Sequence, residues 1–354
     1  MAWQQTLTSA WLRRGWIAQV LRPLALLYGW LWRLRWQRLS PTIRHQVPVI
    51  VVGNVIVGGA GKTPITRALA EWFKEQGWSP AIVSKGYRRK TSLGAEPFEV
   101  KPNASPTASG DEPLLLAQTQ ASPVWVGDDR NACISALLRA HPQTSVVICD
   151  DGLQDLSLHR DLEWVVFDER GVGNGWLLPA GPLREPWPRP SGRPQHSLCW
   201  VLFSDNSLPS SDPLRLDAPG PMWQIHRHLS GTLRRLDQLA TAPLSQWQGA
   251  PVQVVTAIAK PHVFIDMLQA QGIQVVHTVI RGDHDALEGI EYALKPEVPV
   301  LVTAKDAVKL RRLSTEWQTR CWIADLELIF PDSLSSALSH WAHDNLPELS
   351  STHG

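Results

Sequence analysis

Apolar positions in this chain fall into short continuous runs separated by stretches of helical spacing, a rhythm that predicts strands alternating with helices. Residues 47–52 form an uninterrupted apolar run, as expected of a strand covered on both faces, and 65–76 carry apolar residues at helical spacing. Further strands are expected at 81–84, 124–126, 146–149, 162–167 and 200–204, with helices from Leu114 and over 131–140. After about 220 the rhythm resumes: strands at 252–257, 274–280 and 300–303, helices at 262–271 and 306–312. Such alternation implies a parallel sheet with ligands gathered at the carboxyl ends of its strands. Residues 85–90 read as a basic loop, and 91–109, 171–194 and 205–221 as Pro- and Ser-rich connections. The expectation is an α/β fold. A P-loop NTPase-type parallel sheet forms the core (41–220), with a smaller C-terminal α/β domain (221–354) and an N-terminal interfacial helix (1–40).

The N-terminal pattern differs from the rest. Over 11–39, Trp, Leu and Arg are interleaved, and the uncharged stretch 23–32 is too short to span a bilayer. No small-residue cleavage site follows it, so a signal peptide fits poorly. Charge sharpens the picture. The first 70 residues hold nine Lys and Arg and no acid, which leaves the rest of the chain at −8 within a net charge of +1. A basic, Trp-rich helix ahead of an acidic body reads as a segment lying in a membrane interface, with packing on its own domain as the alternative. Nucleic acid is excluded as a partner by the acidic body and the lack of a recognition motif. The four cysteines show no metal-ligand spacing and suit a reduced compartment without structural zinc. Most of the 18 tryptophans are expected to fill cores or interfaces.

The chemistry concentrates after the first strand, in Val-Gly-Asn-Val-Ile-Val-Gly-Gly-Ala-Gly-Lys-Thr-Pro (52–64). Strand, glycine-rich turn and helix, in that order, make a P-loop. Backbone amides over Ile56, Val57, Gly58, Gly59, Ala60 and Gly61 can cradle phosphate oxygens, Lys62 can reach the β- and γ-phosphates, and the Thr63 hydroxyl can hold Mg²⁺. Ile56 stands where the strict pattern has glycine, so the usable signature is Gly-Gly-Ala-Gly-Lys-Thr. Four apolar residues ending in Asp150 and Asp151 resemble a Walker-B strand whose carboxylates hold Mg²⁺ beside the threonine. Asp111, after Gly110 at a helix start, is either an N-cap or a base that positions an acceptor hydroxyl. His284, flanked by Asp283 and Asp285, is either a surface histidine or one oriented by a carboxylate.

Taken together, these motifs resemble the tetraacyldisaccharide 4'-kinase family, the lipid A 4'-kinases. The resemblance is carried by Arg-Pro-Leu-Ala-Leu-Leu-Tyr-Gly (22–29), the P-loop with its flanking Val-Gly-Asn and Pro64, and Ser-Lys-Gly-Tyr (84–87). Gly-Asp-Glu-Pro (110–113), Asp-Asp-Gly-Leu-Gln-Asp (150–155) and Leu-His-Arg-Asp (158–161) add to it. So do Gly-Asn-Gly-Trp-Leu-Leu-Pro-Ala-Gly-Pro-Leu-Arg-Glu (173–185) and Thr-Ala-Lys-Asp-Ala-Val-Lys (303–309). It implies transfer of the ATP γ-phosphate to the 4'-hydroxyl of a tetraacylated glucosamine disaccharide 1-phosphate. The setting implied is the cytoplasmic face of the bacterial inner membrane, with the protein peripheral and held by its N-terminal helix; a monomer is expected. It also implies catalytic roles for Asp111, His284 and Lys62, with Thr63, Asp150 and Asp151 serving Mg²⁺.

The chain departs from the family at several positions. Ser-Lys-Gly-Tyr-Arg-Arg replaces Ser-Arg-Gly-Tyr-Gly-Arg, and Thr-Ala-Ile-Ala (256–259) replaces Ala-Gly-Ile-Gly. Asp-His-Asp replaces Asp-His-His, and Thr-Ala-Lys-Asp replaces Thr-Glu-Lys-Asp. A lysine at 85 lacks the bidentate fork of arginine. The alternative class is a variant P-loop nucleotide-switch ATPase or GTPase at the membrane. Against it, Val57 stands where partitioning ATPases carry their signature lysine, and Thr303-Ala-Lys-Asp306 lacks the context of a guanine reader.

Overall fold

The computed structural model describes residues 11–347 except 42, 59–60, 87–95, 119–121, 190–197, 205–218, 259, 283–284 and 312. His284, Gly59, Ala60, residues 1–10 and most of the basic loop therefore lie outside the described residues.

Helix α1 (Trp16–Arg38) precedes strand β1 (Val49–Gly53), whose residues are all buried. The alternation of β1 explains that burial: Ile50 and Val52 face one core, and Val49 and Val51 face another. On the first side packs helix α2 (Lys62–Glu75), through Ile65, Leu69, Ala70 and Phe73. On the second packs helix α5 (Arg130–Ala140), through Cys133, Ile134 and Leu137. Between them in sequence lie β2 (Pro80–Ser84), β3 (Phe98–Glu99), the single turn α3 (Pro106–Ser109), α4 (Asp111–Gln118) and β4 (Val124–Val126). Strands β5 (Val146–Asp150), β6 (Leu162–Phe167) and β7 (Leu198–Ser204) follow. β5 and β6 pair parallel to β1 on its two sides.

The next strand, β8 (Met222–Arg235), joins the two halves. Its first residues pair parallel with β7, and from His226 onward it pairs antiparallel with β13 (Cys321–Ile329). Beyond β9 (Thr241–Pro243), β10 (Pro251–Thr256), α6 (Pro261–Ala270), β11 (Gln274–Ile280) and β12 (Val300–Thr303) form the second α/β half, with α7 (Ala304–Leu310) and α8 (Thr315–Arg320). The result is one sheet in the order β11-β10-β12-β13-β8-β7-β6-β1-β5-β2-β4-β3.

The chain ends in α9 (Asp332–Asn345), which returns to the first half. Leu334, Leu338, Trp341 and Ala342 join the core around Phe73, Trp72 and Trp78. Position 220, where a division was expected, lies just before β8, which continues the same sheet into the second half, and the first core borrows its last helix from the end of the chain. Strands β8 and β13 and helix α9 were not expected from the pattern. β8 is polar along much of its length (Gln224, His226, Arg227, His228), because only isolated positions such as Ile225, Leu229 and Leu233 are buried.

Candidate active site

The P-loop occupies the carboxyl end of β1. Gly58 (φ 100°) and Gly61 (φ 73°) take left-handed backbone that a side chain would strain, and a Cβ on Gly61 would run into the Arg227 guanidinium. Fully buried Asn54 organises the loop: its Nδ2 donates to Gly58 O at 3.1 Å, and its Oδ1 accepts from Lys62 Nζ at 3.0 Å. Lys62 also lies 3.4 Å from Asp151 Oδ1, so its charge is held at the mouth of the loop.

The first part of the expected phosphate cradle is already committed to protein. Ile56 is fully buried and bridges Leu183, Val57 N donates to Pro182 O at 2.9 Å, and Arg184 N donates to Val55 O at 2.7 Å. Ile56 and Val57 therefore serve as the edge against which residues 182–184 zip, and the free end of the loop starts at Gly58. This strap, the Leu-Pro-Ala-Gly-Pro-Leu-Arg-Glu motif, forms one wall of the site. Gly181 within it has no room for a Cβ against Asn174 and Trp176.

Asp150 and Asp151 stand side by side at the end of β5 yet behave differently. Asp150 is buried, and its Oδ1 accepts from the buried Thr66 hydroxyl at 3.1 Å. Burial, then Glu112 and Asp151, push its carboxyl up to about 7 against the pull of Lys62 and Thr66. Asp151, in left-handed backbone (φ 48°), projects toward cations. Burial acts to raise its carboxyl, but Lys62, Arg184 and Arg130 outweigh it and hold it below the usual carboxylate range. Arg130 fixes the turn by donating to the carbonyls of Asp150 (3.1 Å) and Asp151 (2.7 Å).

The hydroxyl on the buried carboxylate is therefore that of Thr66, one helical turn beyond Thr63, while Thr63 lines the neighbouring cleft. Among the described residues no group of three or more His, Cys, Asp or Glu side chains is arranged to hold a metal ion by itself. The two adjacent carboxylates at the end of β5, beside Lys62, are nevertheless oxygen donors of the kind that would suit Mg²⁺. The observation that favours a cation here is Asp150, a buried acid crowded by two other acids.

Asp111 is the first residue of α4, after Gly110 (φ 89°). With Glu112 it borders a cavity of about 630 Å³ whose far wall includes Ala286, Glu288, Lys309 and Arg311. The segment that follows His284 is thus brought to the cavity of Asp111, although His284 itself is not described.

A second cleft, of about 220 Å³, opens between the start of α2 and the C-terminal half. Gly61 to Pro64, Arg227, Lys260 and Lys305 give it a cationic side, and Ile258, Val263, Phe264 and Met267 an apolar one. At its edge Asp168 accepts from Arg170 Nη2 at 2.8 Å and pairs with Lys260 at 3.2 Å; Arg170 Nη1 in turn donates to Val57 O at 3.0 Å. Burial favours a higher pKa for Asp168, and Arg170 with Lys260 overcomes it. Thr303-Ala-Lys-Asp306 is structural: fully buried Asp306 accepts from the Thr303 hydroxyl (2.8 Å) and from Ala257 N (3.1 Å). That ties β10 to the start of α7 and leaves no base-reading carboxylate.

Thr66, Gln154, Arg170, Arg184, Glu185 and Arg227 were not singled out by sequence reasoning. Arg184 and Glu185 sat inside a motif that was legible without its role. Thr66 lay one turn beyond the Lys-Thr pair, and nothing local marked Arg227.

A family model described as Tetraacyldisaccharide-1-P 4'-kinase matches residues 17–343. A "Tetraacyldisaccharide 4'-kinase" of Polaromonas naphthalenivorans is 40% identical, covering 99% of this chain and 98% of that protein. One from Delftia acidovorans is 42% identical, over 92% and 91% of the two chains. In fold, the chain is similar to a crystal structure of LpxK from Aquifex aeolicus in complex with ATP. The TM-score is 0.73 at 24% identity, covering 92% of this chain and 99% of that one.

Proposed function

The chain belongs to the tetraacyldisaccharide-1-P 4'-kinase family, and we propose how its own residues carry out phosphoryl transfer from ATP to the 4'-hydroxyl of that lipid disaccharide. The triphosphate lies against Gly58 and the start of α2 at Gly61, Lys62 and Thr63, and the cleft of Phe264, Met267 and Ile258 takes the base. Lys62, Arg227 and Lys260 offset the phosphate charge, as expected of a transfer catalysed by positioning and electrostatics. Asp150 and Asp151, with Thr63, would hold Mg²⁺, which when bound supplies neutralisation of the phosphate oxygens. Asp111, with His284 close to the same cavity in sequence, accepts the proton of the sugar hydroxyl. The observation that carries this reading is the convergence of the P-loop, the Asp150/Asp151 pair and the Asp111 cavity at one end of the sheet.

The N-terminal helix supplies the lipid surface. One face of α1, with Ala18, Ala25, Gly29, Trp32 and Trp36, is buried on the protein, while Trp16 (77% exposed), Val20, Leu24, Leu27 and Leu31 form a bare stripe at helical spacing. None of the described helices is long and apolar enough to cross a membrane. A stripe of Trp and Leu flanked by Arg13, Arg33, Arg35 and Arg38 suits adsorption to an anionic bilayer, here the cytoplasmic face of the inner membrane. The protein works there as a monomer.

Two experiments test this reading. Incubation with γ-labelled ATP and the disaccharide 1-phosphate lipid should place label on the lipid; ATP hydrolysis without lipid labelling would favour the nucleotide-switch class. Replacing Leu24 and Leu27 by Asp should release the protein from anionic vesicles in a flotation assay, and unchanged flotation would sink the anchor.

A further inference from the structure

Tyr28 lies on the protein side of α1, and its hydroxyl donates to the carbonyl of Arg184 at 2.5 Å. It is one rung of a ladder of contacts between residues 14–36 and residues 174–189, the stretch that contains the strap. Arg14 and Arg22 stack on the Trp176 ring at 5.4 and 5.0 Å, and Arg14 Nε donates to Asn174 O. Leu177 meets the helix at Gly29, where a Cβ would lie 2.8 Å from its Cδ1. Arg189 lies over Trp36 at 5.8 Å. The opposite edge of the strap is the one zipped to the P-loop through Val55, Ile56 and Val57.

Arg184 is the point where these two attachments meet. Its amide donates to the carbonyl of the P-loop residue Val55 and its own carbonyl accepts from Tyr28, so the two peptide groups that flank its Cα are both held. Its guanidinium then reaches Asp151 Oδ1 and Gln154 Oε1, both at 3.4 Å. Asp151 is itself paired with Lys62. One residue further on, fully buried Glu185 accepts from Gln154 and Arg189. Burial raises the Tyr28 phenol and Glu185 adds to the rise, so the hydroxyl stays a donor across the working pH range.

We infer that Tyr28 is a positioning residue for phosphoryl transfer: through the Arg184 carbonyl it sets the Arg184 guanidinium against Asp151 and so ties the seating of α1 to the geometry at Lys62. The membrane helix is on this account part of the phosphate site as well as an anchor. The inference rests on the kinase reading above. A hydroxyl that fixes a charged group in the transition state, and not the nucleotide, affects kcat more than KM.

The test is Tyr28→Phe in the full chain, assayed in mixed detergent micelles with ATP and the disaccharide 1-phosphate. The expected result is a fall in kcat of about tenfold, the scale of one hydrogen bond, with the KM for ATP and vesicle flotation within twofold of wild type. Arg184→Ala and the Tyr28→Phe/Arg184→Ala double variant complete the cycle, and the double should be no slower than Arg184→Ala alone. Wild-type kcat in Tyr28→Phe, or losses that multiply in the double variant, would overturn the inference. Failure of wild-type protein to label the lipid would instead count against the kinase reading.

Discussion

The two walls of the P-loop are built by different means. On the strap side, backbone pairing with residues 55–57 is backed by a buried ion network. Arg189 donates to Glu163 at 2.6 and 2.7 Å and to Glu185 at 2.9 Å, and Arg160 pairs with Glu163 at 3.1 Å. On the cleft side, the C-terminal half meets the rim of the site through partly exposed pairs such as Lys305–Glu112 at 3.5 Å, around open volume. Buried, multiply bonded charges fix geometry, whereas solvent-screened pairs contribute little to stability. The lesson is a division of labour. The wall joined to α1 is fixed by buried bonds, and the wall facing the C-terminal half leaves open volume beside the loop.

Substitutions can break or sharpen that contrast. Glu163→Ala removes the acceptor shared by Arg160 and Arg189, leaving the buried Arg160 without its carboxylate and Arg189 with Glu185 alone, and should cost about 3–5 kcal/mol in denaturant unfolding. Burial favours a higher pKa for Glu163 while Arg189 and Arg160 together hold it low, so this stabilising charge persists at neutral pH.

Asp150 should show the opposite sign. It ionises near 4 when unfolded and near 7 when folded, so between those values the native state holds the extra proton. Stability of the ligand-free protein should therefore fall as pH rises from about 4 to about 7. Asp150→Asn should flatten that slope in thermal unfolding while abolishing phosphoryl transfer. An unchanged slope would mean that Asp150 titrates normally.

Thr66→Val deletes the donor to that same carboxylate and should cost roughly 1–3 kcal/mol at pH 8, where the carboxylate is charged, and less at pH 5. Smallest is the cleft side. Lys305→Ala should change unfolding free energy by less than about 1 kcal/mol. A stability loss as large as that of Glu163→Ala would erase the distinction between the two walls.

Much of the first half was legible because its signals are local. The apolar run of β1, the four apolar residues that open β5, the glycines after β1 and the acidic pair after Cys149 each announce themselves within a few residues. What stayed hidden depends on long-range meeting. Leu183 reads as an ordinary loop residue until it bridges Ile56, and Arg227 until β8 carries it over Gly61. β8 escaped notice because it pairs with two different halves and buries few of its side chains. α9 carried a helical spacing at Leu334, Leu338 and Trp341, but nothing nearby said that it would cross back to Phe73. Thr66 shows the same limit at close range, since the motif marks Thr63 and only the fold turns the next helical turn toward Asp150.

The central claim is that Asp111 acts on the acceptor while the P-loop holds the nucleotide. The most direct measurement compares wild type with Asp111→Asn, using γ-labelled ATP and the disaccharide 1-phosphate lipid, with nucleotide binding followed in parallel by calorimetry. The account predicts a loss of lipid labelling of at least about 100-fold with ATP affinity within threefold of wild type. Wild-type labelling by Asp111→Asn, or loss of ATP binding alongside activity, would contradict it.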